Sequence, residues 1–330
     1  MKKVLIIFIG IILFLTGCGK TTGDDIEKDL SKKINKLDSY LLDGELEVLN
    51  NDEVYNYKIE VGYHSDNYRV TLTNKANNHT QVILKNSDGV YVLTPALNKS
   101  FKFQSDWPYS NSQIYLLKSI ANDITNDLDN KFIEKNNKYV ITTKVNYPNN
   151  KNLVKQDITL SKDLDIKDIK VYDKDSNISM NMKFNNIDYS PTFSKEYFKL
   201  NSIMDTCFVD EYSISSSSLD ESIYPLFIPI GTKLANEEKI KNDNGERIIL
   251  TFEGDKPFLL VEETAKVEEE FTIIPTYGEP FQLMDTLGVM TDNSLSWTSN
   301  GIEYYIVSDV LSQDELVEVA RSIDVLPTMK

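Results

Sequence analysis

The chain has 330 residues, 41% of them hydrophobic and 10% aromatic, with 51 acids against 35 bases and a net charge of −16. That length suits two packed domains rather than one. So acidic a balance excludes a nucleic-acid binder, and two cysteines exclude a disulfide scaffold.

The chain opens with Lys2 and Lys3, an apolar run from Val4 to Leu15, and then Leu15-Thr16-Gly17-Cys18. Those twelve apolar residues match a signal segment. They fall short of the roughly 20 that a permanent membrane span needs. The tetrapeptide reads as a lipobox. Residues 1–17 are therefore expected to be a lipoprotein signal peptide, and Cys18 to carry a diacylglycerol. Two acyl chains anchor stably, so the chain is expected at the cell membrane, on its extracytoplasmic face. Cys207 is then the remaining thiol, and it reads as a small buried hydrophobe.

Residues 18–25 form a polar, lipidated tether, with Asp24 or Asp25 capping a helix that starts near Asp25. Ile26, Leu30, Ile34, Leu37 and Leu41 recur at helical spacing along it. After Asp43-Gly44 the period falls to two. Leu46 and Val48 are followed by Tyr55, Tyr57, Ile59, Val61 and Tyr63, then by Tyr68, Val70 and Leu72. Val82 and Leu84 lead through the Ser87-Asp88-Gly89 hairpin turn to Tyr91 and Leu93. A helix is expected over 112–128, with Ile114, Leu117, Ile120, Ala121, Ile124 and Leu128 as its apolar stripe. Strands resume at 131–135, 138–146, 153–160, 166–173 and 178–188. Residues 26–200 thus read as a helix followed by an antiparallel meander with a second helix inserted. Such a sheet should curve and be covered by its helices on one face.

Residues 18–200 hold 26 acids and 25 bases, whereas residues 201–330 hold 25 acids and 8 bases. This shift marks a boundary near residue 200. Residues 201–224, with four consecutive serines from Ser215, read as a linker. Residues 225–330 read as an acidic α+β domain. Pro225 and Pro229 suit an edge segment. A hairpin turns at Gly254-Asp255, and further strands fall at 271–274, 281–284, 287–290, 294–298 and 302–307. Ser312 and Glu315 make a capping box for a closing helix that buries Leu316, Val319, Ala320 and Ile323.

The sequence offers no catalytic constellation. His64 and His79 lie in polar, turn-rich segments and read as surface residues. Asp173, Asp175 and Asn177 resemble the start of a calcium loop, but Ile178 and Phe184 stand where glycine and a bidentate glutamate belong. Glu262-Glu263 and Glu268-Glu269-Glu270 read as a solvated acidic rim. No metal or cofactor is expected. Tyr91, Leu93, Phe101, Phe103, Trp107 and Tyr115 stand out, either as sheet core or as the lining of an apolar cleft between sheet and helix.

The lipobox, the meander, the run from Gln81 to Pro95, the run from Asn98 to Phe103, and Trp107-Pro108 together resemble sporulation and germination lipoproteins of Gram-positive spore formers. These are the GerS and YdcC group, within the LolA-like carrier superfamily. The resemblance covers about residues 25–200, and the ending Trp297 to Ile323, with its run Leu316 to Ile323, resembles a small domain appended to such proteins. It implies an α+β fold: a LolA-like half-barrel of curved antiparallel sheet covered by helices, then a small α+β C-terminal domain. It also implies an anchored, non-enzymatic lipoprotein that binds a protein partner, a cell-wall amidase of spore cortex modification and germination. Two alternatives stay open: a lipid or other hydrophobic ligand in the cleft, and envelope-stress sensing. A homodimer through a long edge strand at Val54 to Tyr63 also stays open.

Overall fold

The computed structural model describes residues 22–50, 53–109, 111–208, 219, 221–242 and 245–323. The signal peptide, Cys18, the first part of the tether, the four serines and the Cys207 side chain lie outside the described residues.

Helix α1 (Gly23–Asn35) begins inside the expected tether. Its cap is Thr22 rather than an aspartate. Thr22 Oγ1 accepts from the Asp25 amide at 3.3 Å, and the Asp25 carboxylate accepts from the Thr22 amide at 3.1 Å. Ile26, Leu30 and Ile34 are its buried stripe. The helix stops before Leu41, because Tyr40, Leu42 and Leu46 already alternate as an inward strand face.

Eleven strands follow, with two helices among or after them. These are β1 (Ser39–Asn50), β2 (Glu53–His64), β3 (Asn67–Asn74), β4 (Thr80–Asn86), β5 (Gly89–Thr94), β6 (Lys99–Phe103), α2 (Leu117–Asn126), β7 (Lys131–Lys135), β8 (Lys138–Lys144), β9 (Leu153–Leu160), β10 (Ile166–Asp173), β11 (Ile178–Asp188) and α3 (Leu200–Phe208). Helix α2 is shorter than its stripe suggested. Gln113 N–H donates to Ser119 Oγ at 2.8 Å, which holds residues 112–116 as a lead-in, and Asp127 turns extended. Leu128, expected in the stripe, is 95% exposed.

The second half contains β12 (Thr232–Asn242), β13 (Gly245–Gly254), β14 (Phe258–Thr264), β15 (Thr272–Thr276), β16 (Glu279–Gln282), β17 (Leu287–Met290), β18 (Ser294–Ser299), β19 (Ile302–Val307) and α4 (Gln313–Arg321). The segment with Pro225 and Pro229 forms no strand, and Leu226 and Ile230 are 78% and 96% exposed.

The first sheet has the order β15-β6-β5-β4-β3-β2-β1-β11-β10-β9-β8-β7. It stays open between β15 and β7, a half-barrel of α+β type. Its pairs are antiparallel except β15 with β6. Strand β2 is no edge from Tyr57 to His64, where it pairs with both β1 and β3, whereas Glu53 to Asn56 pair with β1 alone. Helices α1 and α2 cover one face, packing Leu30, Ile34, Ile120 and Ile124 on Leu42, Ile59, Val70 and Met182. Helix α3 covers part of the other face, setting Ile203 and Met204 on Val82, Leu84, Tyr91 and Leu93. Helices therefore lie on both faces, because this start of the expected linker is apolar at Ile203 and Met204.

The second sheet has the order β12-β13-β14-β19-β18-β17-β16. Helix α4 packs Leu316, Val319 and Ala320 onto Leu250, Leu260 and Ile306. Two exchanges knit the halves. Strand β15 leaves the second half and adds to the first sheet beside β6. Leu287 and Val289 of β17 point into the first core while their neighbour Met290 points into the second.

Candidate functional site

The mouth of the half-barrel is closed by the β16–β17 segment, and polar side chains of the first half hold it there. Gln81 makes the central contact. Its Oε1 accepts from the Leu287 amide at 2.6 Å and from Thr286 Oγ1 at 3.0 Å, and its Nε2 donates to the Leu287 carbonyl at 3.2 Å. Tyr57 Oη donates to the Met284 carbonyl at 2.7 Å, and Asn50 Nδ2 donates to the Arg321 carbonyl at 3.3 Å. At the far side of the joint Lys99 Nζ is 2.6 Å from Glu303 and 3.8 Å from Glu268, and its side chain is 7% exposed. Gln81, Tyr57 and Lys99 are buried, Asn50 is half-buried, and each is partnered, so the closure is specific rather than merely greasy.

One cavity of about 60 Å³ remains at the joint. Trp107, Tyr115 and Met180 line it from the half-barrel, and Phe281, Gln282 and Arg321 line it from the second half. It is small beside the roughly 300–1,000 Å³ of ligand pockets. Aromatic rings pack on one another deeper in the half-barrel. Tyr40 stacks on Tyr63 at 5.1 Å, Tyr63 meets Tyr68 at 4.8 Å, and Tyr68 meets Trp107 edge-on at 6.0 Å.

The six expected cleft residues do not all meet. Phe103, Trp107 and Tyr115 lie in the main core, and Phe101 packs against it half-buried. Tyr91 and Leu93 lie across the sheet, under α3. Strand register explains the split. Val90 and Val92 stand opposite Phe103 and Phe101, so Tyr91 and Leu93 must face the other way.

Burial also moves groups that read as surface. Glu262 is fully buried in β14, not part of a rim, because it falls in phase with Phe258 and Leu260. Burial pushes its carboxyl up to about 7, although the Ile223 amide donates to it. Glu263, on the outward face, takes two bonds from Arg247 at 2.9 and 2.7 Å. Asp123 of α2 is pushed up to about 6 by burial, against the opposing pull of donors from Ser112 and Gln156. His79 is half-buried rather than exposed; its Nε2 is buried without a partner and burial lowers its pKa. His64 is exposed at the end of β2. Among the described residues no group of three or more His, Cys, Asp or Glu could hold a metal ion.

A family model described as sporulation protein YdcC-like matches residues 1–198. The chain belongs to the YdcC-like sporulation proteins. It is 38% identical to sporulation protein YdcC of Bacillus subtilis over 315 residues, covering 94% of this chain and 93% of that protein. Among solved structures, the MucA/MucB complex of Pseudomonas aeruginosa aligns at 12% identity and a TM-score of 0.31, over 89% of this chain and 97% of that one. The complex of the CwlD amidase with the GerS lipoprotein of Clostridioides difficile aligns at 17% identity and a TM-score of 0.24, over 53% of this chain and 100% of that one.

Sequence reasoning passed over Gln81, Lys99, Gln282 and Arg321, the polar residues of the joint. One signal was available for Arg321. The chain uses three arginines against 32 lysines, so each arginine marks a place where lysine was not used.

Proposed function

We propose that this chain is a membrane-anchored, non-enzymatic sporulation lipoprotein, held by a diacylglycerol on Cys18 at the extracytoplasmic face, which binds a protein partner. The observation that carries it is the 38% identity to a sporulation protein across nearly the whole of both chains. In this reading residues 26–200 are the half-barrel domain, 201–224 the connection, and 225–330 the acidic domain. The partner is an enzyme that modifies spore cortex, a cell-wall amidase. The small joint cavity supports protein contact over carriage of an acyl chain, since about 60 Å³ is far below the volume of usual ligand pockets.

Affinity capture of the full chain from the membrane fraction of sporulating cells tests the reading. It should bring down a cell-wall amidase. Recovery of the chain from the soluble fraction alone, or without any envelope protein, would overturn it.

A further inference from the structure

Arg321 ends α4 with its guanidinium turned into the joint. The residue is half-buried, and its Nε is buried without a hydrogen-bond partner among the described residues. Burial lowers its pKa, and the acid that acts on it, Glu318 on the same helix, makes no ion pair with it. Arg321 lines the joint cavity, and among the described lining residues there is no acid. A cation in the last turn suits the helix dipole, but that gain is small at a surface. Withdrawing part of an unpaired charge from water opposes it.

A second group in the same cavity is also unsatisfied. Gln282 Oε1 is buried without a donor. Its amide cannot be turned round without loss, because Nε2 donates to the Leu283 carbonyl at 2.8 Å and the Thr286 carbonyl at 3.3 Å. Among the described residues the cavity thus presents a guanidinium fork without an ion pair and an acceptor without a donor. The fork matches a carboxylate in geometry as well as charge. The acceptor matches an N–H. Its about 60 Å³ would hold roughly four waters or one small acid group.

We propose that the joint cavity is a peptide-carboxylate site, in which Arg321 takes the acid group and Gln282 Oε1 takes an N–H beside it. This rests on the protein-binding reading and names the chemistry by which a partner would be held. The partner inserts an acidic chain end or side chain between the two halves, and the rest of its chain stays outside. Because the site is built from both halves, filling it also ties them together.

The test uses the full chain in detergent, with N-acetylglycine as probe, its neutral amide as control and hexanoate as the lipid-like acid, all at equal ionic strength. N-acetylglycine should bind and raise the melting temperature, and the amide should do neither. Arg321→Met should weaken N-acetylglycine at least tenfold, and Arg321→Lys should weaken it less. Arg321→Met should also melt no lower than the parent without ligand, since it breaks no ion pair and keeps the apolar stem. Equal responses to acid and amide, or an unchanged response in folded Arg321→Met and Arg321→Lys, would overturn the site. A stronger response to hexanoate would overturn the peptide assignment. Loss of the carboxylate response with partner capture intact removes the site and leaves protein binding standing; the reverse result removes protein binding alone.

Discussion

Glu262 shows how one residue can invert the reading of a charge run. Its side chain follows Phe258 and Leu260 inward, and the Ile223 amide donates to its two oxygens at 3.2 and 3.0 Å. Burial raises its pKa from 4.5 to about 7. The folded state then holds the proton more tightly than the unfolded state. Stabilisation from this group is complete below about 4.5 and is lost as pH rises through about 7. Glu262→Gln keeps the acceptor for Ile223 and removes the titration. It should match the parent near pH 5 and exceed it at pH 8 by on the order of 2 kcal/mol in urea unfolding. A difference that does not change with pH would refute the assignment. The phase of Phe258, Leu260 and Glu262 was legible in the sequence. Reading the acids as a run hid it, since adjacent residues of a strand face opposite ways and Glu263 alone is outward.

At the scale of elements, β1 depends on a glycine. The period falls to two after Asp43-Gly44 in the sequence, but both residues lie inside β1, opposite a bulge at Asn185 of β11 where the register shifts. A Cβ on Gly44 would lie 2.2 Å from the Lys183 carbonyl oxygen and 2.7 Å from Met182 Cε. The carbonyl is backbone and cannot move aside without opening the ladder. Gly44→Ala should therefore cost about 1–3 kcal/mol, the usual penalty of overpacking. Chemical denaturation would register it as a lower midpoint at constant slope. Hydrogen exchange should place the loss in β1 and β11, and an unperturbed β11 would argue against the mechanism. Strand positions were legible because alternation is strong at Tyr57, Ile59 and Val61. Helix ends were not, because Ser112, Gln113 and Asp127 fix them through hydrogen bonds that periodicity does not report.

At the scale of the molecule, the charge shift near residue 200 suggested two separate bodies, yet β15 and the β17 side chains cross between the cores. No periodic pattern could reveal this. Thr272 to Thr276 alternates in the same way whichever sheet receives it, and a parallel partner 173 residues away leaves no local trace. Such crossing should make the halves unfold together. The two tryptophans can report it, as Trp107 lies in the first core and Trp297 in the second. Trp107→Phe leaves Trp297 as the probe, and Trp297→Phe leaves Trp107. Their fluorescence transitions in urea should coincide within error. Gln81→Ala then tests what couples them. It strands the Leu287 N–H in a buried joint, at a cost of about 1–3 kcal/mol, while the Leu287 carbonyl keeps the Thr286 hydroxyl. That loss falls on the contact between the halves rather than inside either core. In the Gln81→Ala background the Trp297 transition should move to lower urea ahead of the Trp107 transition. Transitions that stay coincident and shift together would mean that β15, not the buried glutamine, carries the coupling.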